Sequence, residues 1–160
     1  MIIKFTKGDM TSPAKVTCTR SDGSFTSSTI HPGIELHDLI HYAVETTLRF
    51  KHGFYGLLDQ GYQIEDFVAP RNIRPTALIP ANLPIEAIQS EFMVNQFMME
   101  ALQGDLDDFI EVLRTAFETN GIALPEQLND SSIRDIRDLL QSLRNRWTAL
   151  ADGKSMELIF

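Results

Sequence analysis

Two histidines and a glutamate follow one another at four-residue spacing, at His37, His41 and Glu45, within a segment whose apolar residues have helical periodicity. Because each residue advances about 100° around a helix axis, the three side chains lie on successive turns, at the flank of the apolar face. Two imidazoles so placed can bind one metal ion, and Glu45 can be a third ligand or can orient a histidine. We therefore predict a divalent metal site, such as a zinc site, on His37, His41 and Glu45.

The same residues also allow a purely structural interpretation. Two histidines near the junction of a helix and a loop can simply be hydrogen-bonded, and Glu45 can be a surface carboxylate. Asp38 is either a catalytic base that takes a proton from a metal-bound water or an acidic residue that stabilises the positive end of the helix. The other two histidines, His31 and His52, are expected in a turn and at the end of the helix. Whether the chain is an enzyme stays open at this point.

The five residues from His37 to His41 read His-Asp-Leu-Ile-His and resemble the His-Glu-x-x-His helix of zinc metalloproteases. In that motif the glutamate after the first histidine is the general base, and here the position holds Asp38, which is shorter by one methylene. Its carboxylate has further to reach to a metal-bound water, and the third-ligand extension of the metzincins is absent after His41. The resemblance implies a metal site with hydrolytic use and Asp38 as the catalytic residue.

A longer run resembles a set of uncharacterised bacterial proteins. It reads His-Asp-Leu-x-His-Tyr-x-Val-Glu from His37 and is followed by His-Gly-Phe-Tyr-Gly from His52. In those proteins a short N-terminal meander precedes such a helix, and a tryptophan, a glycine turn and an apolar strand follow near the end. Trp147, Gly153 and the terminal Met-Glu-Leu-Ile-Phe match this order. The resemblance implies a fold and carries no activity.

The elements that must position these residues can be predicted from hydrophobic periodicity and turn residues. Three short N-terminal strands form a meander, and a last strand over 155–160 needs a partner in the same sheet because its backbone groups must be paired. Gly53 is expected to cap the first helix, and Ser131 or Ser132 the last one. The predicted helices cover residues 35–51, 54–60, 84–103, 105–119 and 131–150. The prediction is an α+β fold, with a small antiparallel sheet packed against four or five helices on one side.

The 160 residues are expected to form a single domain. Four prolines punctuate residues 68–84, and this stretch is the best candidate for an internal boundary. We interpret it as a long loop within one domain, because hydrophobic residues are 43% of the chain, which is ordinary globular usage.

The net charge of −8 suggests a second function class. Residues 81–160 hold 6 basic and 14 acidic side chains, a balance that disfavours nucleic acid as a partner because phosphates would be repelled. The alternative to a metalloprotein is a non-enzymatic interaction protein that binds a basic protein partner through its acidic helices. The acidic residues in question are Glu86, Glu91, Glu100, Asp105, Asp107, Asp108, Glu111 and Glu118.

Cysteine usage and hydropathy indicate where the chain is expected to work. Cys18 is the only cysteine, so no internal disulfide can form. No 18-residue apolar run and no signal-peptide pattern is present, so we expect no membrane association. A reducing cytoplasm is the simplest expectation.

Overall fold

The structure is a computed structural model that describes residues 1–104 and 108–160. It confirms the α+β class. The elements in chain order are β1 (Ile2–Thr6), β2 (Ala14–Thr19), β3 (Phe25–Ile30), α1 (Ile34–Leu48), α2 (Phe54–Asp59), α3 (Ile64–Val68), α4 (Ile85–Gln103), α5 (Phe109–Thr119), α6 (Asp130–Ala149) and β4 (Ser155–Ile159).

As predicted, one sheet contains the three N-terminal strands and the terminal strand. All three pairings are antiparallel, and the strand order is β3-β2-β1-β4, so the terminal strand pairs with the first strand of the meander. Side chains alternate between the two faces of the sheet. The inward set is buried against the helices and consists of Ile3, Phe5, Val16, Cys18, Ile30, Met156 and Leu158. The opposite face is open to solvent, where Ile2, Phe25 and Ile159 are exposed.

Helix α1 lies at the centre of the helical layer. It packs against both α4 and α6, and its side chains Ile40, Val44 and Leu48 are buried. Cys18 faces this core from β2, and burial raises the pKa of its thiol to about 12, with Asp38 adding to the effect. The thiol is therefore a protonated core group.

Two predicted helix ends are wrong, one because of a left-handed residue and the other because a different side chain caps the helix. Helix α1 ends at Leu48 because Arg49 adopts a left-handed conformation at φ 56°, so Gly53 does not cap it. At the start of α6 the capping residue is Asn129, not Ser131 or Ser132. The Asn129 Oδ1 accepts hydrogen bonds from the main-chain N–H groups of Ser131 and Ser132.

The segment between α2 and α4 contains a helix that periodicity did not predict. Helix α3 is a single short turn, too short to show a period. The proline-rich stretch 68–84 follows it and forms two 3₁₀ turns, Thr76–Leu78 and Pro80–Asn82. Leu78 packs with Leu57 and Ala87, which ties this stretch to α2 and α4.

The two central helices of the second half match their predictions with one exception. Pro84 stands directly before α4, which begins at Ile85. The predicted start of the next helix at Asp105 lies outside the described residues, and α5 is described from Phe109. None of the helices within residues 1–104 and 108–160 combines the length and the apolar character needed to cross a membrane.

Candidate metal centre

Three side chains from two helices converge at the flank of α1. His37 and His41 lie on successive turns of α1, and Glu91 reaches them from α4. One potential ligand atom from each of the three lies within 4.8 Å of the other two. The two imidazole rings are 4.7 Å apart between centroids and inclined by 67°. The sequence-predicted histidine pair therefore meets at one place, together with a carboxylate that the sequence did not single out.

His41 lies between two carboxylates. Its Nδ1 is 3.1 Å from Glu45 Oε1 and 3.2 Å from Ser90 Oγ, on the buried side of the ring. Its Nε2 is 3.4 Å from Glu91 Oε1, and the Glu91 side chain is 52% exposed. The Phe54 ring stands 5.3 Å from the imidazole centroid. The two ring nitrogens thus face different surroundings, one the protein interior and the other the half-exposed cluster.

Glu45 is fully buried and is a hydrogen-bond acceptor for three different elements. Its Oε1 accepts from the main-chain N–H of Phe54 and from Ser90 Oγ, besides facing His41. Its Oε2 accepts from the N–H of Tyr55. The spacing allowed Glu45 to be either a metal ligand or a residue that orients a histidine. The geometry matches the second role, because Glu45 contacts Nδ1 of His41 while Glu91 contacts Nε2. The carboxylate also satisfies backbone donors at the start of α2.

Glu91 could not have been identified from the sequence. It is one of many acidic residues in the second half of the chain, and fifty positions separate it from His41. No local motif surrounds it. The packing of α4 against α1 alone brings it to the histidines.

Asp38 and the remaining histidines lie beside this cluster or away from it. Asp38 Oδ1 is 3.5 Å from His37 Nδ1, and the Asp38 carbonyl accepts a hydrogen bond from the Tyr55 hydroxyl. His52 lies beyond the end of α1 at Leu48, so it does not cap this helix as expected, and its Nδ1 is 3.3 Å from Glu86 Oε2. His31 is exposed just before the turn that leads into α1. Neither His31 nor His52 belongs to the converging group.

The charges in the cluster reinforce one another. Burial by itself would lower the pKa of His41, but the hydrogen bonds and negative charges of Glu45 and Glu91 outweigh it and raise the pKa to about 9. Burial opposes ionisation of Glu91, yet its hydrogen bond to His41 and the charges of His41 and His37 bring the pKa of its carboxyl below the ordinary value. Without a metal, His41 is therefore an imidazolium between two carboxylates at neutral pH.

Gly53 makes room for the Glu45 carboxylate. A Cβ atom at Gly53 would stand 2.4 Å from Glu45 Cδ, while its φ of −74° suits any residue. We therefore expect Gly53→Ala to lower the free energy of unfolding by about 1–3 kcal/mol through overpacking alone. Urea denaturation measures this loss, and the exposed neighbour Lys51→Ala is the control, with an expected change within about 0.5 kcal/mol. A Gly53→Ala variant as stable as the control would show that the carboxylate can move aside.

No family model matches this chain, and neither does any curated protein or solved structure.

Proposed function

We propose that the protein binds one divalent transition metal ion through His37, His41 and Glu91, with zinc as the best fit. The observation that carries the proposal is the placement of His41, whose Nδ1 is fixed by buried Glu45 while its Nε2 faces Glu91 beside the His37 ring. A carboxylate on the far nitrogen of a metal-binding histidine is a recurrent support, because it fixes the tautomer and raises the basicity of the ligating nitrogen.

The distances fit a zinc site after a small adjustment. With metal–ligand bonds of about 2.0–2.2 Å, a tetrahedral site places its ligand atoms roughly 3.4 Å apart. His41 Nε2 and Glu91 Oε1 already have this separation, at 3.4 Å. The widest separation in the group is 4.8 Å or less, and the two side chains that would move, His37 and Glu91, are 35% and 52% exposed. Closing around an ion therefore needs rotation of partly exposed side chains and release of the His41 Nε2 proton to the solvent.

Two histidines and one carboxylate leave a fourth position for water on a tetrahedral ion. This is the ligand pattern of zinc sites that activate a water molecule or polarise a carbonyl group. Hydrolysis is the narrower part of the proposal, with Asp38 as the candidate proton acceptor. In the described geometry the Asp38 carboxylate contacts His37 Nδ1, which supports a role in holding that ligand.

Zinc titration of protein purified without a metal-affinity step tests the proposal. Isothermal calorimetry on the chelator-treated protein is expected to give one Zn²⁺ per chain. His41→Ala and Glu91→Gln each remove a ligand and are expected to weaken binding by about 10–100-fold or more.

The matched control is His52→Ala, which also removes a histidine but lies outside the group, and it should bind as the wild type does. Glu91 is half-exposed, so Glu91→Gln is expected to fold. This variant therefore still tests the site if His41→Ala fails to fold. Unchanged stoichiometry and affinity in Glu91→Gln would rule out the proposed site.

The alternative function is binding of a basic protein partner by the acidic helices, and the structure offers less support for it. Several of the acidic side chains already have partners within the chain: Glu86 with His52, Glu91 with His41, Glu100 with Arg137 and Glu111 with Arg114. Asp105 and Asp107 lie outside the described residues. This function and the expected cytoplasmic location stay predictions.

A further inference from the structure

The outer edge of β3 has main-chain groups that point away from the sheet. In an antiparallel ladder, hydrogen-bonded and non-hydrogen-bonded pairs alternate. The Arg20 N–H donates to the Ser24 carbonyl, so the next pair, Thr19 opposite Phe25, is non-hydrogen-bonded. The alternation then directs the N–H and C=O groups of Phe25, Ser27 and Thr29 outward. Their side chains share the solvent face of the sheet.

The opposite edge, on β4, is protected in two ways. The terminal pair, Met1 opposite Phe160, is hydrogen-bonded, so the alternation directs the main-chain groups of Glu157 and Ile159 outward. Arg146 donates to the Glu157 carbonyl, and the Tyr42 hydroxyl donates to the Ile159 carbonyl. A charged residue, Glu157, also stands in the middle of the strand, which discourages pairing with another chain.

β3 has neither protection on its outward main-chain groups. Helix α3 contacts this strand, but the Ile64 N–H donates to the buried Thr26 side chain and not to an outward main-chain group. The β3 sequence, Phe-Thr-Ser-Ser-Thr-Ile, has no charge and no proline, the two features that usually blunt an edge strand. Phe25 is 62% exposed at its start. Among the described residues, one hydrogen bond reaches an outward main-chain group of β3, and it is local and long: Ser28 Oγ donates to the Thr29 carbonyl at 3.4 Å. That carbonyl has a second lone pair for another donor.

We propose that two copies of this chain pair through their β3 edges, antiparallel, about a two-fold axis at Ser27. In this register Ser27 lies opposite the partner subunit's Ser27, and Phe25 lies opposite the partner's Thr29. Every residue so paired has its main-chain groups directed outward and its side chain on the same face, so the outward N–H and C=O groups of Phe25, Ser27 and Thr29 are all satisfied. The four-stranded sheet becomes a continuous eight-stranded one.

The choice of a second copy over another extended segment rests on this self-complementarity. A shift by one residue would place solvent-face side chains opposite core-face ones, because side chains alternate along a strand. A two-fold at Ser27 avoids this and uses all three outward residues. The central uncharged residues also let two chains of net charge −8 approach along this edge without a like-charge contact.

The test uses the fact that, in the proposed dimer, Ser27 lies opposite the partner subunit's Ser27. Light scattering coupled to size exclusion is expected to give twice the 18.1 kDa chain mass for the wild type. Ser27→Lys and Ser27→Asp each place like charges face to face, and each is expected to be monomeric. Mixing the two variants should restore a dimer, because the opposed charges then attract. Thr17→Lys, on the cross-strand neighbour of Ser27 in β2, puts the same charge on the same face one strand inward and should stay dimeric.

Amide hydrogen exchange identifies the edge directly. In the dimer the Phe25, Ser27 and Thr29 amides are expected to exchange slowly, and in Ser27→Lys they should exchange fast while those of Thr26 and Ser28, bonded to β2, stay protected. A monomeric wild type would overturn the proposal. So would a dimer that survives both charged variants, because it would use a different surface.

Discussion

Replacing Glu45 with alanine is expected to lower the free energy of unfolding by about 3–5 kcal/mol. The substitution leaves a buried imidazolium without its buried counter-charge and removes the acceptor for two main-chain N–H groups, those of Phe54 and Tyr55. Urea denaturation of the chelator-treated protein measures the effect.

Glu91→Ala is the matched control for this loss. It also removes a carboxylate from His41, but a half-exposed one that accepts no backbone hydrogen bond from residues 1–104 or 108–160. Its expected cost is about 1 kcal/mol or less, because solvent screens the pair. Equal losses in the two variants would contradict the assignment of Glu45 as the buried support.

Glu45→Gln distinguishes the effect of Glu45 on metal binding from its effect on stability. The glutamine amide has the volume of the glutamate carboxylate. Its NH₂ group, however, must face one of the main-chain N–H groups from which the carboxylate accepts a hydrogen bond. If Glu45 orients His41, zinc affinity should fall by about 10–100-fold in the fraction that is folded. Unchanged zinc affinity in folded Glu45→Gln would confine Glu45 to a structural role and leave the three-ligand site intact.

The metal-free protein is expected to lose stability as pH rises from about 6.5 to about 9. The unfolded chain has an ordinary histidine pKa near 6.5, and Glu45 and Glu91 raise the pKa of His41 in the fold to about 9. The folded state therefore binds this proton more tightly. The gain is fully present below pH 6.5 and is lost as pH rises through 9, and its size is on the order of 3 kcal/mol.

Thermal unfolding across this pH range, with chelator present, tests the sign. The groups that face His41 are Glu45 and His37 from α1 and Glu91 from α4. His41→Gln has no titratable ring and should lack this decline whatever its absolute stability. A wild-type melting temperature that stays level or rises between pH 6.5 and 9 would show that the ring is neutral in the fold.

The position of the histidine pair and of Glu45 was predictable because it depends only on helical periodicity. His37, His41 and Glu45 recur at four-residue spacing, and no contact from another element is needed to place them along one flank of α1. That β4 joins the sheet of the N-terminal meander was predictable as well, since a terminal strand must find backbone partners, whereas its pairing with β1 in particular was not.

The role of Gly53 between α1 and α2 depends on a tertiary contact that no local pattern contains. Gly53 suggested a helix cap, because glycine is the usual residue there. Its actual role is to let the Glu45 carboxylate approach the backbone of α2, and Arg49 takes the left-handed position instead. A glycine needed for close approach and a glycine needed for positive φ look the same in a sequence.

The sequence by itself determined the α+β class and the two histidines on one face, because these follow from side-chain periodicity within each element. It also placed the terminal strand in the sheet, because the backbone groups of that strand must be paired. Only the tertiary structure decided which carboxylate joins the histidines and which one supports them. Glu91 reaches the histidines from α4, and Glu45 accepts hydrogen bonds from α2. Both contacts depend on how different helices pack together. Packing of this kind is set by shape and burial over the whole core, which a local pattern of residues does not encode.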